Sequence, residues 1–548
     1  MTTNTPALDT VAERPAPPTQ TSNRSAMLDK LADLDAEHAK AVVGGGEKYV
    51  ERHRKRGKLT ARERIELLID PGSAFLELSP LAGWGSDFNV GAAIVTGIGV
   101  VEGVEVMIVA NDPTVKGGSS NPWTVRKSFR AAQIAADNNL PTISLVESGG
   151  ADLTTQKEIF IPAGAMFRNI TRASAARRPS IALVFGNATA GGAYIPGMSD
   201  YIVMVKKGAK VFLAGPPLVK MATGEETDDE ALGGAEMHAK ISGLADFLAE
   251  DEADAIRIGR RLVARLDRRK PVPAPSPEYA DPDFDTDELL DLIPADIKQP
   301  FDPREVIKRI CDGVSPATAT SRGNGAVFDE FKPLYGPSLV TGWARLHGRQ
   351  IGILANAQGI IFSEEAQKAT QFIQLANKSN TPLLFLHNTT GFMVGKDYEQ
   401  GGIIRHGAQM INAVSNSTVP HLTVILGSSY GAGNYGMNGR AYEPRFLFTW
   451  PSAKSAVMGA TQLAGVLSIV SRQAAESRGL PFDEEADAAA RAAVETMVEE
   501  QSHPYVLSGM LYDDGVIDPR DTRTVLGICL SVIENQTWQG TENWGVFR

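Results

Sequence analysis

The chain has 548 residues, enough for two large domains or three to four ordinary ones, each with its own core. Apolar residues make up 43% and charged residues 22%, as in soluble globular proteins, and the net charge of −11 argues against wholesale nucleic-acid binding. Only two cysteines, Cys311 and Cys529, stand far apart, which excludes a disulfide framework and a zinc ribbon and points to a reducing, cytoplasmic compartment.

Residues 1–25 hold Pro6, Pro15, Pro17 and Pro18 among threonines, lack the apolar stretch of a signal peptide, and read as a disordered tail. No apolar run reaches the roughly 18 residues of a membrane span. Ser25 can cap a helix that carries Met27, Leu31 and Leu34 on one face and stops at Gly44-Gly45-Gly46. A basic run follows from Arg52 to Arg64; it suits the phosphates of a nucleotide-bearing ligand and equally a solvated helix face paired with acids such as Glu63.

The strongest signal of organisation is a duplication. Leu140 to Gly150 matches Thr381 to Gly391 at an offset of 241, as do Gln133 with Gln374, Ala135 with Ala376, and Asn139 with Asn380. Downstream, Gly186 and Gly192-Ala193-Tyr194 match Gly427 and Gly433-Asn434-Tyr435 at the same offset. Upstream, Val95-Thr96-Gly97 and Ala110-Asn111 match Val340-Thr341-Gly342 and Ala355-Asn356 at 245, so one copy lacks four residues. Two copies of one domain are expected, spanning 26–275 and 276–548, with the Pro- and Asp-rich stretch from Lys270 to Pro303 as the linker.

Within each copy an apolar strand runs into a glycine turn that opens a helix: Ser180 to Phe185 before Ala190-Gly191-Gly192-Ala193, and His421 to Leu426 before Ala432-Gly433. Buried strands alternating with helices indicate an α/β fold with a parallel or mixed sheet in each half. A helix start leaves backbone N–H groups unpaired, and glycine lets a ligand come close. Such a turn can hold phosphate or an oxyanion, or it can be a structural turn only. Neither Ala188 to Tyr194 nor Ser428 to Tyr435 carries a basic residue, which favours a carbonyl that becomes an enolate. Two such turns suit two oxyanions. No GxSxG elbow is present. No acid stands from Ala188 to Ser199 or from Gly427 to Arg440, so a base is left to a cofactor; Asp200 and Glu443 beyond read as solvated or paired groups.

The chain resembles the carboxyltransferase (β) subunits of biotin-dependent acyl-CoA carboxylases. The resemblance is carried by Ala110 to Gly118, Ser148 to Ala151, Thr189 to Tyr194, Phe212 to Lys220, Thr390 to Gly395, and Ser429 to Met437. It is closest to the 3-methylcrotonyl-CoA and geranyl-CoA type. The resemblance implies two duplicated crotonase-like domains, each a β-sheet core with flanking helices. It implies that the amides of Gly191 and Gly192 hold the thioester oxygen of acyl-CoA, and those of Ala432 and Gly433 the ureido oxygen of biotin. Gly149, Gly150, Ala151, Lys116 and Tyr194 would line the CoA side; Thr390, Gly391, Phe392 and Tyr435 the biotin side.

The resemblance further implies a ring-shaped hexamer in which the two sites meet across a dimer interface. Biotin would be carried on a separate α subunit with biotin carboxylase and carrier functions, and no metal, nucleic acid or membrane would be needed. Carboxybiotin would give up CO2, the resulting biotin enolate would take a proton from the acyl-CoA, and the acyl enolate would attack CO2. His387-Asn388-Thr389-Thr390-Gly391 stands where propionyl-type members tend to have an aspartate-proline-glycine version. Ala151 to Gln156 lacks a proline and a basic residue usual in the methylcrotonyl group, which bears on the substrate. Lys220 lacks the preceding methionine and hairpin of a biotinyl-lysine. His238 and His406 read as hydrogen-bonded structural residues. Alternatives are a propionyl-, acetyl- or longer-chain acyl-CoA carboxylase, a decarboxylase run in reverse, and a non-catalytic scaffold for the α subunit.

Overall fold

Runs of β-branched and aliphatic residues bounded by glycine and asparagine form the strands, and amphipathic segments between them form the covering helices. The computed structural model describes residues 20–275, 279–314 and 328–546. The first half builds one sheet from β1 (Leu76–Leu78), β2 (Ile94–Val101), β3 (Val104–Asn111), β4 (Thr142–Ser148), β5 (Ser180–Thr189), β6 (Tyr201–Val205), β7 (Lys210–Phe212) and β8 (Phe247–Ala249). Its order is β1-β2-β3-β4-β5-β6-β8, with β7 paired to the far end of β5. The β2–β3 hairpin is antiparallel, and pairings from β3 onward are parallel.

The second half repeats this plan with β9 (Asp329–Glu330), β10 (Leu339–Leu346), β11 (Arg349–Asn356), β12 (Ile360–Ile361), β13 (Leu383–Thr389), β14 (Gly391–Phe392), β15 (His421–Tyr430), β16 (Phe446–Thr449) and β17 (Lys454–Ala456). The order β9-β10-β11-β13-β15-β16, with β17 on β15, mirrors the first sheet. The repeat extends to irregularities. The β4–β5 register slips between Val146 and Ser148, and the β13–β15 register slips between His387 and Thr389, again 241 residues apart. The four extra residues of the first copy fall between Asn111 and Gly118, whose counterparts are Asn356 and Gly359.

Each sheet is covered on both faces. Helices Ala61–Leu68 and Glu252–Arg265 lie on one side of the first sheet. Helices Ser363–Lys378 and Ile403–Asn416 seal one face of the second, with Phe372 and Met410 packing on Leu383 and Phe385. The halves share a core in which Met107 and Ile134 join Leu384, Val424 and Phe448.

Three expectations need correction. The first helix spans Gln20–Val43, so residues 20–25 are helical and Ser25 is interior to the helix rather than its cap. Its first turns are tethered from the second half: Asn23 donates to the Asp291 carbonyl at 3.2 Å and Arg24 pairs with Asp291 at 2.7 Å and with Asp287. Residues 1–19 of the expected tail lie outside the described residues. The stretch from Lys270 to Pro303 is not a solvated linker. Leu289, Leu290 and Ile293 are buried beside Met27, Leu31 and Leu34, because apolar side chains spaced too irregularly to show periodicity still find a core.

Candidate active site

The two glycine turns are built alike. Ala190 and Gly431, at the offset of 241, both take left-handed φ values, 54° and 53°. That bend turns the strand end into the helix. In the first half a short 3-10 turn, Ala190–Ala193, runs on into Tyr194–Gly197; in the second, helix Gly431–Gly436 starts directly. The residues before them, Thr189 and Tyr430, give no side-chain cap. First-turn amides without a capping side chain are oriented donors for an incoming oxygen.

The strand facing each turn is fixed by a matched hydrogen-bond set. Ser148 Oγ donates to Gly118 O at 2.7 Å and accepts from Gly150 N at 3.2 Å. Thr389 Oγ1 donates to Gly359 O at 3.1 Å and accepts from Gly391 N at 3.2 Å. Asn111 and Asn356 each accept a strand amide, Glu147 N at 3.3 Å and Asn388 N at 3.1 Å. Gly150 and Gly391 have positive φ, 94° and 131°, which suits glycine at these bends.

The first-half candidates come together. Gly149 N donates to Gly117 O at 2.9 Å and Ser120 N to Gly150 O at 2.8 Å, which places Lys116, Gly149, Gly150 and Ala151 on paired segments. Lys116 reaches Asp152 at 3.0 Å and is otherwise exposed. Tyr194 is 40% exposed and leans on Phe167, ring centroids 5.3 Å apart. On the second-half side, Thr390 Oγ1 donates to Gly359 O at 3.0 Å and Gly391-Phe392 pairs with β12. The Phe392 ring packs inward against Gly407 and Gly436, and Tyr435 stays 45% exposed beside Tyr442.

The basic run is not a free cationic patch. Arg54 pairs with Glu63 at 2.7 Å, Arg62 with Glu77, and the fully buried Arg64 with Glu147 at 2.8 Å and Glu252 at 2.7 Å. Lys58 also pairs with Glu147. Burial alone would raise the Glu147 carboxyl, but Arg64 and Lys58 hold it below the usual range. Glu147, beside Ser148 near the end of β4, is therefore an anchored carboxylate with both oxygens engaged. Asp200 is likewise engaged, accepting from Ser180 N at 2.8 Å and Ser180 Oγ at 2.9 Å.

Sequence reading missed one matched pair with a detectable signal. Lys127 and Lys368, 241 apart, are buried on equivalent helices. Lys127 Nζ donates to Gly91 O and Ile94 O at 3.3 and 2.9 Å, and Lys368 Nζ to Gly336 O and Leu339 O at 3.3 and 2.7 Å. Each ties a helix to the turn that starts the sheet. Among the described residues no group of three or more His, Cys, Asp or Glu is placed to hold a metal, and no helix is long and apolar enough to cross a membrane.

Residues 52–544 match the carboxyl transferase domain family. The chain belongs to that family, as a carboxyltransferase (β) subunit of a biotin-dependent acyl-CoA carboxylase. It is 71% identical over 522 residues to a probable biotin-dependent acyl-coenzyme A carboxylase β2 subunit of Mycobacterium tuberculosis, covering 95% of this chain and 96% of that one. It is 47% identical over 523 residues to the 3-methylcrotonyl-coenzyme A carboxylase β1 subunit of the same organism, covering 94% and 96%. The crystal structure of the Pseudomonas aeruginosa geranyl-CoA carboxylase β subunit superposes with a TM-score of 0.87 at 41% identity, covering 98% of this chain and 99% of that one. These matches carry the two-domain crotonase-like fold.

Proposed function

We propose that this subunit transfers CO2 from carboxybiotin, carried on a separate α subunit, to an acyl-CoA of the 3-methylcrotonyl kind. The observation that carries the reading is the pair of uncapped amide turns, one per repeat, with matched φ angles and matched supports. In the first, the amides of Gly191 and Gly192 stabilise the negative charge on the thioester oxygen as the acyl group loses its proton. In a conjugated 3-methyl-2-enoyl group the charge spreads to the γ carbon but returns to that same oxygen, so one turn serves.

The second turn fits a biotin ring. Gly391 opposite it would leave a Cβ nothing nearer than the Tyr430 carbonyl at 4.0 Å, and the amides of Ala432 and Gly433 would hold the ureido oxygen. Carboxybiotin supplies the CO2 and the proton acceptor there. The chain contributes position and charge stabilisation, not a side-chain base; Glu147, near the end of β4, is tied up by Arg64 and Lys58.

Self-association into a hexamer is part of the reading. Helix Ala460–Ser477 buries only Ala464 and leaves Val466, Leu467, Ile469 and Val470 exposed, and helix Gln156–Ala175 buries only Ile159 while Phe160 and Ile161 stand out. Long helices with apolar outer faces fit a second copy of the chain. The test is reconstitution with the α subunit, ATP and bicarbonate against a panel of acyl-CoAs. Turnover of 3-methylcrotonyl-CoA above propionyl-CoA is expected; the reverse order overturns the substrate class.

A further inference from the structure

The first half contains a cavity of about 410 Å³ between its sheet and helices Pro122–Asp137 and Gln156–Ala175. Native cores are close-packed, so a hollow of this size asks for an explanation. The duplication supplies an internal control. In the second half the same layer is solid. There Leu383, Phe385, Ile373, Met410 and Val414 are all at most 2% exposed and pack into one cluster. Their counterparts, at the constant offset of 241, are Thr142, Ser144, Ala132, Asn169 and Ala173, and all five line the cavity. Every one is smaller than its partner in the repeat or more polar. The hollow therefore comes from five concerted differences on three elements rather than from one loose side chain.

One end of the cavity lies next to the site. That end is lined by Ser120, Val146 and Ile195. Ser120 N donates to Gly150 O at 2.8 Å, and Ile195 follows Tyr194 directly behind the first amide turn. From there the walls run past Ile94, Met107 and Leu140 to the opposite end of the strands. The volume lies within the roughly 300–1,000 Å³ of pockets that take small-molecule ligands, and is more than a five-carbon acyl group fills.

We infer that this cavity receives the hydrocarbon tail of the acyl-CoA, so that the substrate class extends to acyl groups longer than 3-methylcrotonyl whose reactive head sits at Gly191 and Gly192. The inference rests on the reading of that turn as the thioester site. The second half needs no such space because its turn faces the compact ring of biotin, and there the layer is packed shut.

The test copies the second half into the first. Ser144→Phe, Ala132→Ile and Asn169→Met each fill the cavity from a different element. The full-length β subunit and its variants are titrated calorimetrically with 3-methylcrotonyl-CoA and with homologues of increasing tail length. The reconstituted holoenzyme is then assayed on the same series. Wild-type affinity should rise with tail length, and each variant should lower the ratio of long-tail to short-tail kcat/KM by about tenfold or more. Filling empty space should not lower the melting temperature, which reports that the variants fold. A ratio unchanged in all three variants, or a wild-type affinity that does not rise with tail length, overturns the inference. If affinity rises with tail length but no acyl-CoA of any length is carboxylated, the carboxyltransferase reading falls and the tail site stands.

Discussion

The two glycines that matter most for chemistry are not sterically equivalent, and this separates folding from catalysis. A Cβ at Gly192 would meet nothing closer than Ser148 Oγ at 3.7 Å, ordinary van der Waals contact. A Cβ at Gly433 would fall 2.8 Å from Thr389 Oγ1 and 2.9 Å from Gly391 Cα, closer than real contacts. Gly192→Val should therefore fold with a near-normal melting temperature yet lose carboxylation by about 10²-fold or more, the cost of disabling an oxyanion donor. Gly433→Val should lower the melting temperature as well as activity. Thermal denaturation beside steady-state kinetics separates the two, and normal kinetics for Gly192→Val would remove that turn from the mechanism.

At the scale of the element, the second-half turn is braced from below by a neutral histidine. His387, on β13, is fully buried; it accepts from Ser429 Oγ at 2.9 Å through Nδ1 and donates to the Met437 carbonyl through Nε2. Burial pushes its pKa down to about 4, and the same cause takes His421, at the start of β15, to about 4. Below the ordinary value of 6.5 the unfolded chain binds two protons that the folded chain refuses. Stability should then fall as pH drops from about 6.5 towards 4. Asp513 opposes this with one proton, because burial raises its carboxyl to about 6 and the folded state protonates first. His387→Gln should flatten the pH dependence of unfolding free energy by one proton, about 1.4 kcal/mol per pH unit, in denaturant titrations across that window. The constant offset made His387 visible in the sequence as the counterpart of Val146, but not its burial. The same holds for the rest of the site. The turns, their duplication and the strand before each were legible because glycine and apolar runs are local signals. The pairing of Arg64 with Glu147 and Glu252 and the cavity were not, because each depends on which distant segments meet in space.

For the whole molecule, one buried acid ties the halves together alongside their shared apolar core. Asp514 is fully buried; Arg130, on helix Pro122–Asp137 of the first half, donates to it at 2.7 and 2.8 Å, and Arg440 of the second half at 2.9 Å. The Leu447 amide on β16 adds a donor at 2.9 Å. Burial by itself would raise this carboxyl, but Arg130 and Arg440 hold it well below the usual carboxylate range. Its contribution to stability is therefore present throughout the neutral range and is lost only in strong acid. Asp514→Asn keeps the shape and removes the charge, leaving two guanidiniums facing a neutral amide. Breaking a buried pair from one side costs about 3–5 kcal/mol, so the variant should show a large drop in unfolding free energy at neutral pH. Because Arg130 anchors the helix that walls the cavity, the damage should also reach the first-half site, with KM for acyl-CoA rising. A second substitution, Arg130→Met, should recover part of the lost stability by removing one of the stranded cations. If the double variant is no more stable than Asp514→Asn alone, the charge of Arg130 is not what the acid neutralises, and the coupling between halves must lie in the shared apolar core.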